Sequence, residues 1–290
     1  MLNLRFNQSQ FLQTKQEFEV SLNQLNISQS EKWKNSLYKE RFNKIVELIN
    51  VDNSNLIIFS ETDYPFVIRN HDIVEKIQSF LKNKQTVIIG GIKNEEDQYY
   101  NSLYLIEKNT FDVFDKKILV PFGEFLPFRQ YLNLKFINSI VGNVDFSVGT
   151  GKRFMTLLNN INIIPVICYE IIFFNDLLDN TNRFSPLLIN LTNDAWFGKF
   201  SGPYQHFYLS RMRSAEFNKY LIRVSNNGVS AIIDNYGNII EFIPLNIKNK
   251  KNVKITIPKE LKNHTQYHNL IYPFLILLII ISLFVNTKNE

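Results

Sequence analysis

Three residue types are scarce in the 290-residue sequence, which contains one cysteine, nine prolines and ten glycines. The single cysteine, Cys168, excludes an internal disulfide and a thiolate-rich metal site. The chain has no proline- or glycine-rich linker and no internal repeat, so we expect one large domain. The opening residues, MLNLRFNQSQF, lack the apolar stretch of a secretory signal, and none is expected.

Concentrated positive charge is also missing. The formal net charge is +5, but it is spread over single Lys and Arg residues without an arginine-rich tract. Such dispersed charge is typical of solvated protein faces, so we expect no nucleic-acid partner.

Long hydrophobic runs are limited to one, near the C-terminal end. Residues 270–285, LIYPFLILLIIISLFV, are 16 consecutive residues without a charge or an amide. A full membrane span prefers about 20 apolar residues, so this run is slightly short. We predict a single transmembrane helix over residues 268–287. The alternative is a buried core helix, but such a helix rarely lacks a polar face altogether.

The remaining sequence alternates between two kinds of apolar pattern. Runs rich in Ile, Val and Leu predict buried strands at 55–60, 86–91, 163–169, 186–192 and 230–237, and amphipathic stretches predict helices at 30–49 and 204–223. This alternation predicts an α/β fold in which helices cover a sheet. We assign this domain to residues 18–262 and treat residues 1–17 as an N-terminal extension.

Polar residues directly after the strand runs are the candidates for chemistry, since functional groups gather at strand ends in such folds. Glu61 follows the first run and Cys168 ends the third, while FDKKILVPFGEF between them supplies Lys116 and Glu124. A carboxylate, an ammonium group and a thiol at one sheet edge are suited to acyl transfer.

Each group in this set has a distinct role to play. A partly desolvated carboxylate can take the thiol proton as a general base. A lysine can favour the thiolate and stabilise the charge on an attacked carbonyl oxygen, and the main-chain N–H of Tyr169 is a second candidate donor to that oxygen. The alternative for Cys168 is an inert cysteine in an apolar core.

The order Glu, Lys, Cys, each after a strand, resembles the triad of the nitrilase superfamily, whose fold is an αββα sandwich. The strings SETDYPF, YNSLYLI, FDKKILVPFGEFLPFR, VICYEI, NDAWFGKFSGPYQHF and RVSNNGVSAIID resemble, more narrowly, the nitrilase-like domain of the apolipoprotein N-acyltransferase family. The resemblance implies that Glu61 is the general base, Lys116 the oxyanion-stabilising lysine and Cys168 the nucleophile. Lys116 is favoured over Lys117 because the family's lysine lies three residues before the LVPFGE motif.

Further residues match supporting positions of that family. Glu124 and Glu170 match acids that support the triad, while Tyr169 and Trp196 match aromatic positions near the acyl site. Alternatives stay open, because Glu124 could be a turn carboxylate and NDAWFG could be a turn whose aromatic residues pack the core. We expect His206 to be a polar residue at a helix start rather than a second base.

The resemblance implies an N-acyltransferase that moves an acyl chain from a glycerophospholipid, through a thioester on Cys168, to the N-terminal amine of a diacylglyceryl-cysteine lipoprotein. It implies no metal and no organic cofactor. The expected partners are a membrane phospholipid donor and a lipoprotein acceptor. The expected location is the bacterial inner membrane, with the catalytic domain facing the periplasm.

One difference from the family concerns the N-terminal side. Full-length members carry a bundle of transmembrane helices ahead of this domain, whereas about seventeen residues precede the matching region here. Two alternatives therefore stay open. One is a nitrilase-type amidase acting on a small amide, and the other is a catalytically incomplete fragment that needs a separately encoded helix bundle.

Overall fold

The structure is a computed structural model that describes residues 14–32, 34–69, 72–127, 145–157, 160–198, 200–262 and 273–281. The strands are β1 (Lys15–Gln24), β2 (Leu56–Ile58), β3 (Tyr64–Ile68), β4 (Thr86–Glu95), β5 (Gln98–Glu107), β6 (Phe111–Asp115), β7 (Met155–Leu157), β8 (Ile161–Ile167), β9 (Leu187–Thr192), β10 (Tyr220–Ser225), β11 (Ser230–Ile233), β12 (Ile239–Ile243) and β13 (Asn249–Pro258). The α-helices are α1 (Gln29–Lys32), α2 (Tyr38–Val51), α3 (Asp72–Phe80), α4 (Phe174–Leu177) and α5 (Gly202–Phe217), and residues 273–281 form a further helical segment. Short 3-10 helices span Asn35–Leu37, Cys168–Ile172 and Asp194–Phe197.

The strands form two sheets of similar design. The first has the order β13-β1-β2-β4-β5-β6, with β3 also paired to β4, and the second has the order β12-β11-β10-β9-β8-β7. Three central strands in each sheet run parallel, namely β1-β2-β4 and β10-β9-β8, and antiparallel strands flank them. Parallel neighbours need long crossover connections, which the helices provide.

The sheets pack face to face and helices cover their outer faces. Along β2, Leu56 and Ile58 belong to the core between the sheets, while Ile57 between them belongs to the core under α2 and α3. A third core lies between the second sheet and α5. Because successive side chains of a strand point to opposite faces, burial on both faces explains why the strand runs are continuously apolar. The predicted αββα sandwich is confirmed.

The strand predictions are confirmed, and both helix predictions need correction. All five predicted strands are present, as β2, β4, β8, β9 and β11. The helix predicted over 204–223 ends at Phe217, because Asn218 adopts a left-handed conformation with φ 55° and ψ 49°. The buried residues that follow form β10, which pairs with β9. The helix predicted over 30–49 is interrupted after Lys32 and starts again at Tyr38.

The first strand starts earlier than the predicted domain. It begins at Lys15, inside the segment 1–17 that the sequence suggests is an extension, and pairs with β13 and β2. Residues 1–13 lie outside the described residues.

The predicted transmembrane helix is described only in its central part. Residues 273–281 are helical with exposed side chains, while 268–272 and 282–287 lie outside the described residues. Within the described ranges, no helix is both long and apolar enough to cross a membrane.

Candidate active site

Glu61 lies directly after β2 and packs tightly against the neighbouring strand. The carbonyl of Ser60 accepts a hydrogen bond from the main-chain N–H of Gly90 in β4 at 3.2 Å. A Cβ on Gly90 would lie 2.8 Å from the Cα of Glu61 and 2.5 Å from the main-chain nitrogen of Thr62. Only glycine permits this approach, so β4 fixes the position of the turn that carries Glu61.

Glu61 and Lys116 meet in a buried group of four side chains that we call the Glu61 cluster (Glu61, Asn101, Lys116 and Glu124). The ammonium nitrogen of Lys116 lies 2.8 Å from Oε1 of Glu124 and 3.5 Å from Oε1 of Glu61. The side-chain amide of Asn101 donates to the same two oxygens, at 2.7 Å and 2.8 Å respectively. The cluster therefore holds two carboxylates against one ammonium group.

The charges of the Glu61 cluster perturb its lysine. Burial alone would lower the pKa of Lys116, but the negative charges of Glu124 and Glu61 outweigh burial and raise that pKa. Lys116 is therefore a fixed positive charge at neutral pH. The adjacent Lys117 is half-buried and its main-chain N–H binds elsewhere, so the structure places Lys116, and not Lys117, beside Glu61.

Glu124 shows both of the properties considered from the sequence. Its Oε2 accepts a hydrogen bond from the main-chain N–H of Val120 at 2.9 Å, which closes the turn. Its Oε1 contacts Lys116. The turn carboxylate is thus also a partner of the buried lysine.

Cys168 occupies a strained turn at the end of β8. It is the first residue of the 3-10 helix Cys168–Ile172 and has φ +52°, in the left-handed region that non-glycine residues seldom adopt. The side chain is buried, and Oγ1 of Thr192 lies 3.4 Å from its Sγ, within hydrogen-bond reach. A strained strand-to-helix turn is a geometry that presents a nucleophile at the end of a sheet.

The thiol of Cys168 is close enough to the Glu61 cluster for the two to interact electrostatically. Burial raises the pKa of Cys168 to about 12, and the charge of Glu61 adds to the rise while that of Lys116 opposes it. The expectation that the lysine favours the thiolate is correct in direction, but its effect is outweighed. Cys168 is therefore a neutral thiol at rest and needs a base to remove its proton.

Glu170 is fully buried and binds an arginine and main-chain groups near the site. Its carboxylate forms a buried, two-pronged pair with Arg153, at 2.9 Å and 2.8 Å. It also accepts main-chain hydrogen bonds from Ile167 at 2.8 Å and from Lys117 at 2.8 Å. Burial would raise the pKa of Glu170, but Arg153 and these donors lower it. One fixed carboxylate thus joins the cysteine turn to the segment that carries Lys116.

A second buried group, which we call the Asp194 cluster (Asp194, His206, Arg223 and Ser225), lies at the ends of β9 and β10. Oδ1 of Asp194 lies 2.8 Å from Nδ1 of His206, and Oδ2 accepts from Arg223 at 2.8 Å. Burial would raise the pKa of Asp194, but Arg223 and His206 bring it to about 2. The NDAWFG segment is therefore more than a surface turn, because the buried ion pair between Asp194 and Arg223 connects it to β10.

His206 does not fit the expectation of a polar residue at a helix start. Its side chain is buried on α5, and burial together with the positive charge of Arg223 lowers its pKa. Nδ1 of His206 contacts Asp194, and this contact and a main-chain hydrogen bond with Cys168 oppose the lowering of the pKa.

The two predicted aromatic residues lie in different environments. Tyr169 is half-buried, stacks edge-on against Phe173 at 4.9 Å and packs on the core between the sheets. Trp196 is 59% exposed and Phe197 is 41% exposed. The core-packing alternative for this pair is therefore wrong, and the structure leaves both rings open to a ligand or to solvent.

Several residues of the site were not identified from the sequence, namely Lys32, Asn101, Arg153, Thr192 and Arg223. Lys32 is fully buried and its ammonium group donates to the main-chain carbonyl of Glu61 at 2.9 Å. Asn101 lies in the quoted string YNSLYLI, and Arg223 lies in RVSNNGVSAIID. Asn101 and Arg223 were missed because only folding brings each of them to the carboxylates that it contacts.

The chain is similar to curated proteins named apolipoprotein N-acyltransferase. It is 34% identical over 266 residues to the protein of Allorhizobium ampelinum, covering 85% of this chain and 50% of that protein. It is 36% identical over 258 residues to the protein of Rickettsia prowazekii, covering 86% of this chain and 51% of that protein. The predicted resemblance is confirmed, and the chain spans about half the length of these relatives.

Solved structures share the fold at low sequence identity. A CN-hydrolase superfamily protein of Xanthomonas campestris, XC1258, matches with a TM-score of 0.61 and 17% identity, covering 83% of this chain and 91% of that chain. Saccharomyces cerevisiae Nit3, a member of the nitrilase superfamily, matches with a TM-score of 0.56 and 15% identity, covering 84% of this chain and 90% of that chain. The family model described as carbon-nitrogen hydrolase matches residues 19–255. With this match added to the sandwich of two sheets, the chain belongs to the carbon-nitrogen hydrolase family.

Proposed function

We propose that this chain is the acyl-transferring domain of an apolipoprotein N-acyltransferase. The observation that carries the proposal is the buried pair of Lys116 and Glu61, 3.5 Å apart, within electrostatic range of the Cys168 thiol in its strained turn. The similarity to relatives of that name supports the choice of substrates. The donor would be a glycerophospholipid and the acceptor a diacylglyceryl-cysteine lipoprotein.

The first half-reaction forms a thioester. Glu61 takes the thiol proton as Sγ of Cys168 bonds to the ester carbonyl carbon, since the resting thiol is neutral. Lys116 and the main-chain N–H of Tyr169 stabilise the negative oxygen of the tetrahedral intermediate. The ester C–O bond then breaks, and Glu61 returns the proton to the leaving oxygen. The products are a lysophospholipid and an acylated Cys168.

The second half-reaction transfers the acyl chain to nitrogen. The free amine of the acceptor attacks the thioester carbonyl carbon, and Glu61 takes a proton from the attacking nitrogen. The C–S bond breaks, the thiolate of Cys168 leaves, and Glu61 reprotonates it. The amide product carries a third acyl chain, and the protein returns to its starting state without a metal or cofactor in any step.

The membrane features belong to the same proposal. Residues 268–287 would anchor the domain in the bacterial inner membrane, because residues 270–285 carry no charge or amide. The acyl-transferring domain would face the periplasm, where lipoprotein amines are found. The exposed rings of Trp196 and Phe197 would contact the acyl chain, and a bundle of membrane helices would complete the lipid pocket.

The decisive experiment follows the acyl group on Cys168. The purified chain in detergent is incubated with a glycerophospholipid, or with a small activated ester that needs no lipid pocket. Intact-mass measurement should show an increase of one acyl group that hydroxylamine removes, and Cys168→Ala should show none. Cys168→Ser should also fail, since the hydroxyl is a far weaker nucleophile at neutral pH.

The outcomes separate the competing functions. The same adduct on Cys168→Ala would disprove the assignment of the nucleophile. Rapid hydrolysis of a small soluble amide, without transfer to an amine, would instead indicate a nitrilase-type amidase. Acylation by the small ester but not by phospholipid would indicate a domain that needs its helix bundle.

A further inference from the structure

Thr192, the last residue of β9, contacts two acceptors with one hydroxyl proton. Its Oγ1 lies 3.4 Å from Sγ of Cys168 and 3.2 Å from Oδ1 of Asp194. The residue is fully buried, so water does not satisfy it. A hydroxyl has a single O–H to donate, and it rotates to suit the stronger acceptor. Thr192 therefore joins the candidate nucleophile to the Asp194 cluster.

Asp194 does not depend on this hydroxyl. Its Oδ1 is bonded to His206 at 2.8 Å, and its Oδ2 accepts from Arg223 at 2.8 Å and from Ser225 at 3.2 Å. Three hydrogen-bond donors, one of them a charged guanidinium group, already satisfy the carboxylate. Turning the Thr192 proton away from Asp194 therefore costs little, and the direction of the hydroxyl is set by the charge on sulfur.

The cysteine, in contrast, has few ways to stabilise a negative charge. It is buried, and the ammonium group of Lys116 is held at 2.8 Å by Glu124. Among the described residues, Thr192 is the one hydrogen-bond partner of Sγ. A hydrogen bond to a charged acceptor is about twice as strong as one between neutral groups, so its contribution grows when the thiolate forms.

We propose that Thr192 is a further catalytic residue, whose hydroxyl donates to Asp194 while Cys168 is a thiol or thioester and to Sγ while it is a thiolate. The proposal rests on the proposed role of Cys168 as the nucleophile. In acylation, the thiol proton goes to Glu61 and the Thr192 proton turns from Oδ1 to sulfur. When the C–S bond breaks in the second half-reaction, the same hydrogen bond receives the leaving thiolate. Thr192 keeps its own proton throughout.

The test uses Thr192→Val and Thr192→Ser, which keep the shape or the hydroxyl respectively. The rate of alkylation by iodoacetamide is measured at fixed pH between about 7 and 9, which reports the thiolate fraction of the only cysteine in the chain. Thr192→Val should react about tenfold more slowly, and its acylation by a small activated ester should slow by at least that factor, given the strength of hydrogen bonds to charged groups. Thr192→Ser should stay within about threefold of wild type in both assays, since it retains the donor.

Controls keep the result separate from folding and from the proposed function. Thr156→Val, at an exposed threonine on β7, should leave both rates unchanged. Thermal unfolding checks that each variant is folded, and a loss of folded protein would expose Cys168 and speed its alkylation, whereas the loss of the Thr192 donor slows it. Equal alkylation by Thr192→Val and wild type, or equal impairment of Val and Ser, would overturn the role of Thr192. Acylation of Cys168→Ala would instead overturn the assignment of Cys168 as the nucleophile. The alkylation rates of the Thr192 variants would still test the hydrogen bond from Thr192 to Sγ.

Discussion

The Glu61 cluster and the Asp194 cluster lie at the ends of two sheets of similar design, yet their buried carboxylates differ in how many charged and hydrogen-bonding partners they have. Glu61 shares a single ammonium group with Glu124, at the longer distance of 3.5 Å. Asn101 and Lys116 both contact Oε1 of Glu61, and among the described residues no donor contacts its Oε2. Glu61 therefore keeps a free position at which it can accept a proton.

Asp194 has no such position. Its two oxygens are bonded to a histidine and to a guanidinium group, and its pKa is held at about 2. The carboxylate is therefore charged at neutral pH, and its ion pair with Arg223 is permanent there. Burial is common to both clusters, so burial alone does not mark a catalytic acid or base. What distinguishes Glu61 is an unoccupied acceptor within electrostatic range of the Cys168 thiol.

The largest expected effect concerns the ammonium group of the Glu61 cluster. Lys116→Met should slow acylation of Cys168 by about 10²- to 10³-fold, the usual cost of removing an oxyanion donor. Lys116→Arg should also fail, because a planar guanidinium cannot place one compact charge between two carboxylates. Lys117→Ala is the matched control and should retain activity, since it keeps the main-chain N–H that binds Glu170. Single-turnover acylation by a small ester measures all three.

One result would contradict the catalytic role proposed for the Glu61 cluster. Equal losses in Lys116→Met and Lys117→Ala would mean that the contacts of Lys116 with Glu61 and Glu124 serve folding rather than chemistry.

The next effect is on stability and belongs to the Asp194 cluster. Asp194→Asn leaves the Arg223 guanidinium buried without its carboxylate, so the free energy of unfolding at pH 7 should fall by about 3 kcal/mol. Because the folded pKa of Asp194 is lowered to about 2, its ionic stabilisation is present above about pH 4 and is lost as pH falls towards 2. The gap between wild type and Asp194→Asn should therefore narrow by about 2 kcal/mol over that range.

Urea unfolding at a series of pH values measures this gap. Lys44→Met, at an exposed i,i+3 pair with Glu47, should change stability by less than about 1 kcal/mol and serves as the control. A gap that stays constant down to pH 2 would show that Asp194 is not the group that titrates.

The sequence predicts the strands of this protein better than it predicts the contacts of its buried charged groups. Continuous apolar runs such as 186–192 mark strands buried on both faces, and they correctly predict an α/β fold, while the two-sheet sandwich was predicted from the family resemblance. The segment 204–223 misled because its apolar residues resume at Tyr220 after only two polar residues, and only pairing with β9 shows that β10 has begun. Local patterns cannot report a partner that lies elsewhere in the chain.

The site follows the same rule. Glu61, Lys116 and Cys168 could be proposed from the sequence because each follows a strand run and matches a motif. Thr192 and Lys32 were missed because neither stands out in its local sequence, and their importance comes from contacts across 24 and 29 positions of the chain. A buried donor becomes recognisable only once its acceptor is known.

The smallest expected effect tests whether the Glu61 cluster extends to Lys32. This ammonium group is fully buried, donates to the main-chain carbonyl of Glu61 at 2.9 Å and forms no ion pair with the part of the chain that the structure describes. Burial lowers its pKa, while the charges of Asp63 and Glu61 oppose that effect. Lys32→Met should free the Glu61 turn and slow acylation by about tenfold, the cost of one hydrogen bond from a charged group, with KM for the ester unchanged. Lys34→Met, two residues away and exposed, is the control. A Lys32→Met protein that matches wild type in rate and in pH profile would confine the cluster to its four original members, whereas a raised KM with an unchanged kcat would place Lys32 in substrate binding rather than in the positioning of Glu61.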